Sequence, residues 1–237
     1  MSTTTSTTGT DLAQLLVSLQ LSDSAFPSGL YTMSHGLEGL HQARLVARGG
    51  AAAVLDDLLV TSVGPGDATA LARAHDAATA GDWEAVAAID RVLLATKLNA
   101  EVRTASVRSG RQLIGIAAEV FDDPGIAAYA ARAAARTVPG CQPVAAAVCY
   151  AAAGVTSARA VASDLFAFAS SFVGAALRLR LTDHREAQVV LHRVAPTIEA
   201  VAGAAVARSL DDLGGWAPMA DIASAWHERA DGRLFTT

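Results

Sequence analysis

One carboxylate stands three residues before a histidine in this chain, Glu38 before His41. On a helix that spacing places both side chains on one face, and helical di-iron enzymes use two such pairs facing each other across a bundle. No other Asp or Glu precedes a histidine by three, so the second half of such a site is missing. A helical metal-dependent enzyme would have to combine His35, Glu38 and His41 with a further carboxylate. The other histidines, His75, His184, His192 and His227, are scattered singly, and each by itself reads as a surface or hydrogen-bonded core residue. The chain has no Gly-x-x-x-x-Gly-Lys-Ser/Thr loop, no Gly-x-Ser-x-Gly elbow and no His-Glu-x-x-His. Gly64-Pro65-Gly66 lacks the third glycine and the strand of a dinucleotide site. Cys141 and Cys149 are eight apart, which suits neither a zinc pair nor a redox Cys-x-x-Cys; both read as small core residues in a reducing compartment.

The elements that would position these residues are helices. Just over half of the 237 residues are hydrophobic, yet aromatics make up only 5%, so Ala, Val and Leu dominate. Ala and Leu favour helix, and the β-rich types are sparse. A net charge of −5 with no run of like charges argues against nucleic acid as a partner and against a polybasic membrane anchor. The longest uncharged candidates for a spanning helix, 143–156 and 165–177, are shorter than a membrane span and read as buried core. Residues 1–10, nearly all Ser, Thr and Gly, read as a disordered leader without a signal peptide's features.

Turn chemistry cuts the rest into an all-α domain of nine or ten helices over 11–231, with a tail at 232–237. The spacing predicts helices over 11–21, 32–47, 51–63, 67–80, 83–96 and 99–120, with Gly64-Pro65-Gly66 and Gly81-Asp82 as breaks. Asp123-Pro124 and Gln142-Pro143 each read as an N-cap followed by proline at the first helical position. Ser157 opens a helix to about Leu181. Asp183 with Glu186 reads as a capping box for a helix to Ser209, and Pro218 starts a last one. Helix from Tyr31 onward would put Tyr31 and Glu38, two turns apart, on one face. An Ala- and Val-rich chain with positive mean hydropathy also has apolar surface to hide, which predicts a dimer.

Three stretches resemble the UreF family of urease accessory proteins. The segment from Leu19 to Glu38 carries Pro27, Gly29, Tyr31, Ser34, Gly36 and Glu38 in the order of that family's N-terminal signature. Phe172 to Gln188, with Arg178, is similar to its long-helix segment. Ile222-Ala-Ser224, His227-Glu228 and Arg233-Leu234-Phe235 are similar to its C-terminal ending. Weaker likeness joins these blocks, including Glu101, Arg103 and Gly110, so the resemblance spans about Leu15 to Phe235.

The resemblance implies a helical, cytoplasmic homodimer that is not an enzyme and holds no tight cofactor. It would bind UreD (also called UreH) and the GTPase UreG, and the assembly would deliver nickel to apo-urease. It further implies partner contacts at Tyr31, Ser34, Glu38, Arg178, Gln188, His227, Glu228, Arg233, Leu234 and Phe235. Pro27, Gly29 and Gly36 would shape the turn before them. Local physics offers its own readings of several: Arg178 complements a helix C-terminus, and Leu234 and Phe235 must dock either on this chain's own core or on UreD.

Overall fold

The computed structural model describes residues 4–236, with side chains from Gly9 onward. Eleven α-helices and no strand form among them: α1 Thr4–Ser22, α2 Leu37–Gln42, α3 Ala51–Leu58, α4 Thr69–Thr79, α5 Trp83–Thr96, α6 Ala100–Val120, α7 Pro124–Ala134, α8 Gln142–Ala152, α9 Ser157–Arg178, α10 His184–Ala207 and α11 Pro218–His227. Of the expected leader, residues 1–3 lie outside the described residues and Thr4 to Thr10 fall within α1. The terminal Thr237 also lies outside them.

At the centre stands α8, buried without interruption from Pro143 to Tyr150. A helix apolar on all sides needs neighbours on all sides, and α4, α5, α6, α7 and α9 supply them. Cys141 and Cys149 are free thiols inside this core. Both are pushed well above the usual thiol range, first by burial. Asp90 on α5, fully buried, accepts from the Tyr129 hydroxyl (2.7 Å) and from the backbone N–H groups of Gly140 (2.7 Å) and Cys141 (2.9 Å). It thereby ties the loop before α8 to its flanking helices. Gly110 on α6 meets that loop backbone so closely that a Cβ would collide with the Gly140 carbonyl.

Caps fall where short polar side chains announce them. Asp82, Asn99, Asp123 and Asp183 each accept a backbone N–H of the first turn of α5, α6, α7 and α10. At α8 the helix already includes Gln142 and the cap is Cys141. The Gln142 amide instead reaches across to Asp164 of α9 at 2.7 Å.

Two expected boundaries are corrected. Gly64-Pro65-Gly66 breaks nothing: residues 51–79 form one rod, α3 and α4 being joined by a π-helical segment, Leu59–Ala68. Counted with that rod as one, the helices number ten among the described residues. Proline removes the N–H that an α-register would direct to the Thr61 carbonyl. The N–H of Trp216 supplies a bond there (3.0 Å), while Gly214 N–H donates to the Pro65 carbonyl (3.1 Å). Gly215 fits against Ser62 where no Cβ could, and Gly64 lies equally close to Val201 of α10.

The second correction concerns the helix expected over 32–47. Leu30–Thr32 is a single 3-10 turn, and His35 and Gly36 both take left-handed backbone (φ 55° and 82°) before α2 begins at Leu37. Tyr31 and Glu38 therefore do not share a helix face.

The stretch 165–177 lies inside the longer α9, whereas 143–156 runs past the end of its helix, α8. By length and composition, α9 and α10 could each cross a membrane; here they pack on one another, and α10 also on the π segment.

Candidate functional site

The short α2 and the terminal α11 pack against each other at one end of the body, and this pairing rests on Gly39. A Cβ at Gly39 would collide with the Ala223 carbonyl of α11, so only glycine lets the two backbones approach this closely. The Ser34 hydroxyl accepts the Glu38 N–H (3.1 Å) and holds the start of α2.

That geometry buries Glu38, only 4% exposed, and surrounds its carboxylate with donors. Oε2 lies 2.8 Å from Nε2 of His227 and accepts the Phe235 N–H at 2.9 Å. Oε1 accepts the Leu234 N–H at 2.8 Å. His227, fully buried, turns Nδ1 to Oε2 of Glu101 on α6 at 3.2 Å, and Arg233 donates to the other Glu101 oxygen at 3.1 Å. The His227 ring thus bridges the two carboxylates, and Arg233 sets a fixed positive charge beside Glu101. The Ser224 hydroxyl completes the set at 3.4 Å from Glu101.

The chain after α11 is thus drawn back as a strap. Thr236 N–H donates to the Thr32 carbonyl (3.0 Å), and Arg108 donates to the hydroxyls of Thr32 and Thr236 (3.0 and 3.1 Å). Phe235 is buried on this chain's own core. The Arg178 guanidinium lies between two rings, 4.0 Å from the centroid of Tyr31 and 4.2 Å from that of Phe235. Burial lowers its pKa from the usual arginine value. On the outer side Tyr31 and Leu234 are each 62% exposed.

Eight of the ten residues singled out as partner contacts therefore converge: Tyr31, Ser34, Glu38, Arg178, His227, Arg233, Leu234 and Phe235. Gln188, exposed on α10, and Glu228, exposed at the end of α11, stand outside the network. Of the turn residues, Gly29 and Gly36 have left-handed backbone (φ 85° and 82°), and Pro27 is exposed. Glu101, Arg108 and Ser224 complete the network without having been singled out for it. Nothing in one sequence marks Glu101 as the second carboxylate of a pair 126 residues apart from its histidine.

His35, Glu38 and His41 are kept apart. The His35 ring packs on Phe168 and lies 3.0 Å from the Ser171 hydroxyl, Glu38 is engaged as above, and His41 is exposed. No group of three or more His, Cys, Asp or Glu could hold a metal ion among the described residues.

Behind α11 lies a cavity of about 150 Å³, reached by His35, Asp67, Lys97, Ser106, Asp164 and Asp221. Burial lowers the His35 pKa to about 3, with Lys97 and Arg178 adding to the shift. Burial raises Asp164 to about 6, against the Gln142 hydrogen bond. The two act with opposite sign. His35 is depressed in the fold, so it costs stability as pH falls below its unfolded value of 6.5 toward 3. Asp164 is raised, so stability is lost as pH climbs from 3.8 through about 6. Asp164→Asn should therefore gain about 2 kcal/mol on the wild type between pH 4 and pH 7.5, allowing for screening through the cavity mouth. Urea unfolding at the two pH values checks this; a difference independent of pH would refute it.

The described residues define an all-α protein whose C-terminal strap is pinned to its own body by a buried carboxylate. The family model of UreF matches residues 46–195. A urease accessory protein UreF of Trichodesmium erythraeum is 32% identical over 226 residues, covering 95% of this chain and 97% of that protein. A urease accessory protein UreF 2 of Brucella canis is 33% identical (94% of this chain, 92% of that one), and UreF of Photorhabdus laumondii 29% (94% and 98%). The chain belongs to the UreF family.

Proposed function

We propose that the chain is a urease accessory protein acting in the cytoplasm as a non-catalytic scaffold. It binds UreD (UreH) and the GTPase UreG, works as a homodimer, and assists the insertion of nickel, the cargo, into apo-urease. Family membership supports the process. The observation that carries the role is the Tyr31–Arg178–Phe235 stack beside exposed Leu234. Aromatic and arginine side chains held rigid at a surface are the composition of interface hot spots. Their position is fixed beforehand by Glu38, so little ordering entropy opposes docking.

The test is co-expression with tagged UreD and UreG of the same organism. All three chains should co-purify, and Leu234→Asp with Tyr31→Ala should cut UreD recovery at least about tenfold at an unchanged melting temperature. Undiminished recovery with the double variant would remove this patch from the reading. If neither partner associates with the wild-type chain, the scaffold reading itself falls.

A further inference from the structure

We infer that the cavity behind α11 is a binding site for a small organic cation, a protonated amine on an apolar stem of four to six carbons. Its volume, about 150 Å³, is that of cavities that accept a benzene-sized molecule. Met33, Val63 and Phe168 are among the apolar side chains of its wall, which suits a hydrocarbon body.

The polar groups give the sign of the charge. Asp67 is paired with Lys97 at 2.6 Å and is thereby neutralised. Asp164 and Asp221 also reach the cavity, and neither has a Lys, Arg or His within ion-pair distance among the described residues. One Asp164 oxygen accepts from Gln142; that is the carboxyl's one hydrogen bond among the described residues, and the second oxygen remains for a ligand. The Ser106 hydroxyl is buried at the same wall with no hydrogen-bond partner. The oxygen itself is closed off, so the charge of the ligand is set by the two carboxylates and not by this hydroxyl.

Of the lining donors, Lys97 is committed to Asp67, Gln142 to Asp164 and Asn99 to Asp221, which leaves two carboxylates without a paired cation. An ammonium group brings three donors and one positive charge. A bare metal ion suits the site less well, because its carboxylates and imidazole do not gather into a ligand set. None of this depends on the scaffold reading.

The probes are n-butylamine, protonated at pH 7.5, and 1-butanol, which has the same shape without the charge. Saturation-transfer NMR and melting shifts on the full chain should show the amine binding at least about tenfold tighter than the alcohol. Asp164→Asn should bring that ratio close to one. Ser106→Leu, which fills the cavity, should remove binding of both, with circular dichroism confirming the fold. Equal binding of amine and alcohol to the wild type, a preference that survives Asp164→Asn, or no amine binding at about 10 mM would each overturn the assignment.

Discussion

Replacing Glu38 with alanine should release the C-terminal strap while leaving the helical body folded. The carboxylate is buried and receives the Leu234 and Phe235 N–H groups and the His227 ring, and a hydrogen bond to a charged group is worth about 1.5–3 kcal/mol. Alanine removes all three and leaves two backbone donors and an imidazole facing a void. The ties that remain, from Arg108 and Thr236 to Thr32, from Arg233 to Glu101 and from Gln42 to Gly232, are exposed or half-exposed and should not hold the strap by themselves. Its local opening should become easier by about 3–5 kcal/mol, and amide exchange at Leu234 and Phe235 should accelerate at least about a hundredfold. Trypsin should then cut at Arg233, and the Tyr31–Arg178 stack should lose its second ring. The core around α8 is remote from the change, so the main unfolding transition should move little. Amides at 234 and 235 that stay as protected as in the wild type would refute this role for Glu38.

The second large effect is expected at Asp90. Alanine there would strand the Tyr129 hydroxyl and the N–H groups of Gly140 and Cys141, all inside the core. Leaving such donors unpaired should cost about 3–5 kcal/mol, read as a lower urea midpoint at unchanged slope. Tyr129→Phe, which removes a single donor, should cost about 1–2 kcal/mol. Burial and the adjacent Asp90 carboxylate hold the Tyr129 hydroxyl far above the usual phenol range, so this bond persists across the pH range in which the protein is handled. An Asp90→Ala variant within 1 kcal/mol of the wild type would show that the loop before α8 is held by packing alone.

How much of this was legible in the residues depended on the range of the interaction concerned. The starts of α7 and α10 are legible because a cap is local chemistry, Asp123 and Asp183 acting within three residues of themselves, while the caps at Asp82 and Asn99 are seen only in the fold. The rod through Gly64-Pro65-Gly66 is not legible, since its local signal is a turn and the overriding bonds come from Trp216 and Gly214. A shared face for Tyr31 and Glu38 holds only if helix begins at Tyr31, and nothing short-range shows that His35 joins Gly36 in left-handed backbone. Glu38, His227 and the tail were marked by resemblance. Their meeting, across separations of 189 to 197 residues, is a property of the fold.

Pro65 sits in the middle of the chain and His227 near its end, yet the two are answerable to one another. Because residue 65 has no N–H, the α-register donor to the Thr61 carbonyl is missing; the amide of Trp216 bonds there, and the segment entering α11 is tied to the rod. The placement of the histidine that Glu38 recognises is thus set from two sides: by Gly39, which admits α11, and by an imino acid more than 150 residues upstream that keeps its berth open.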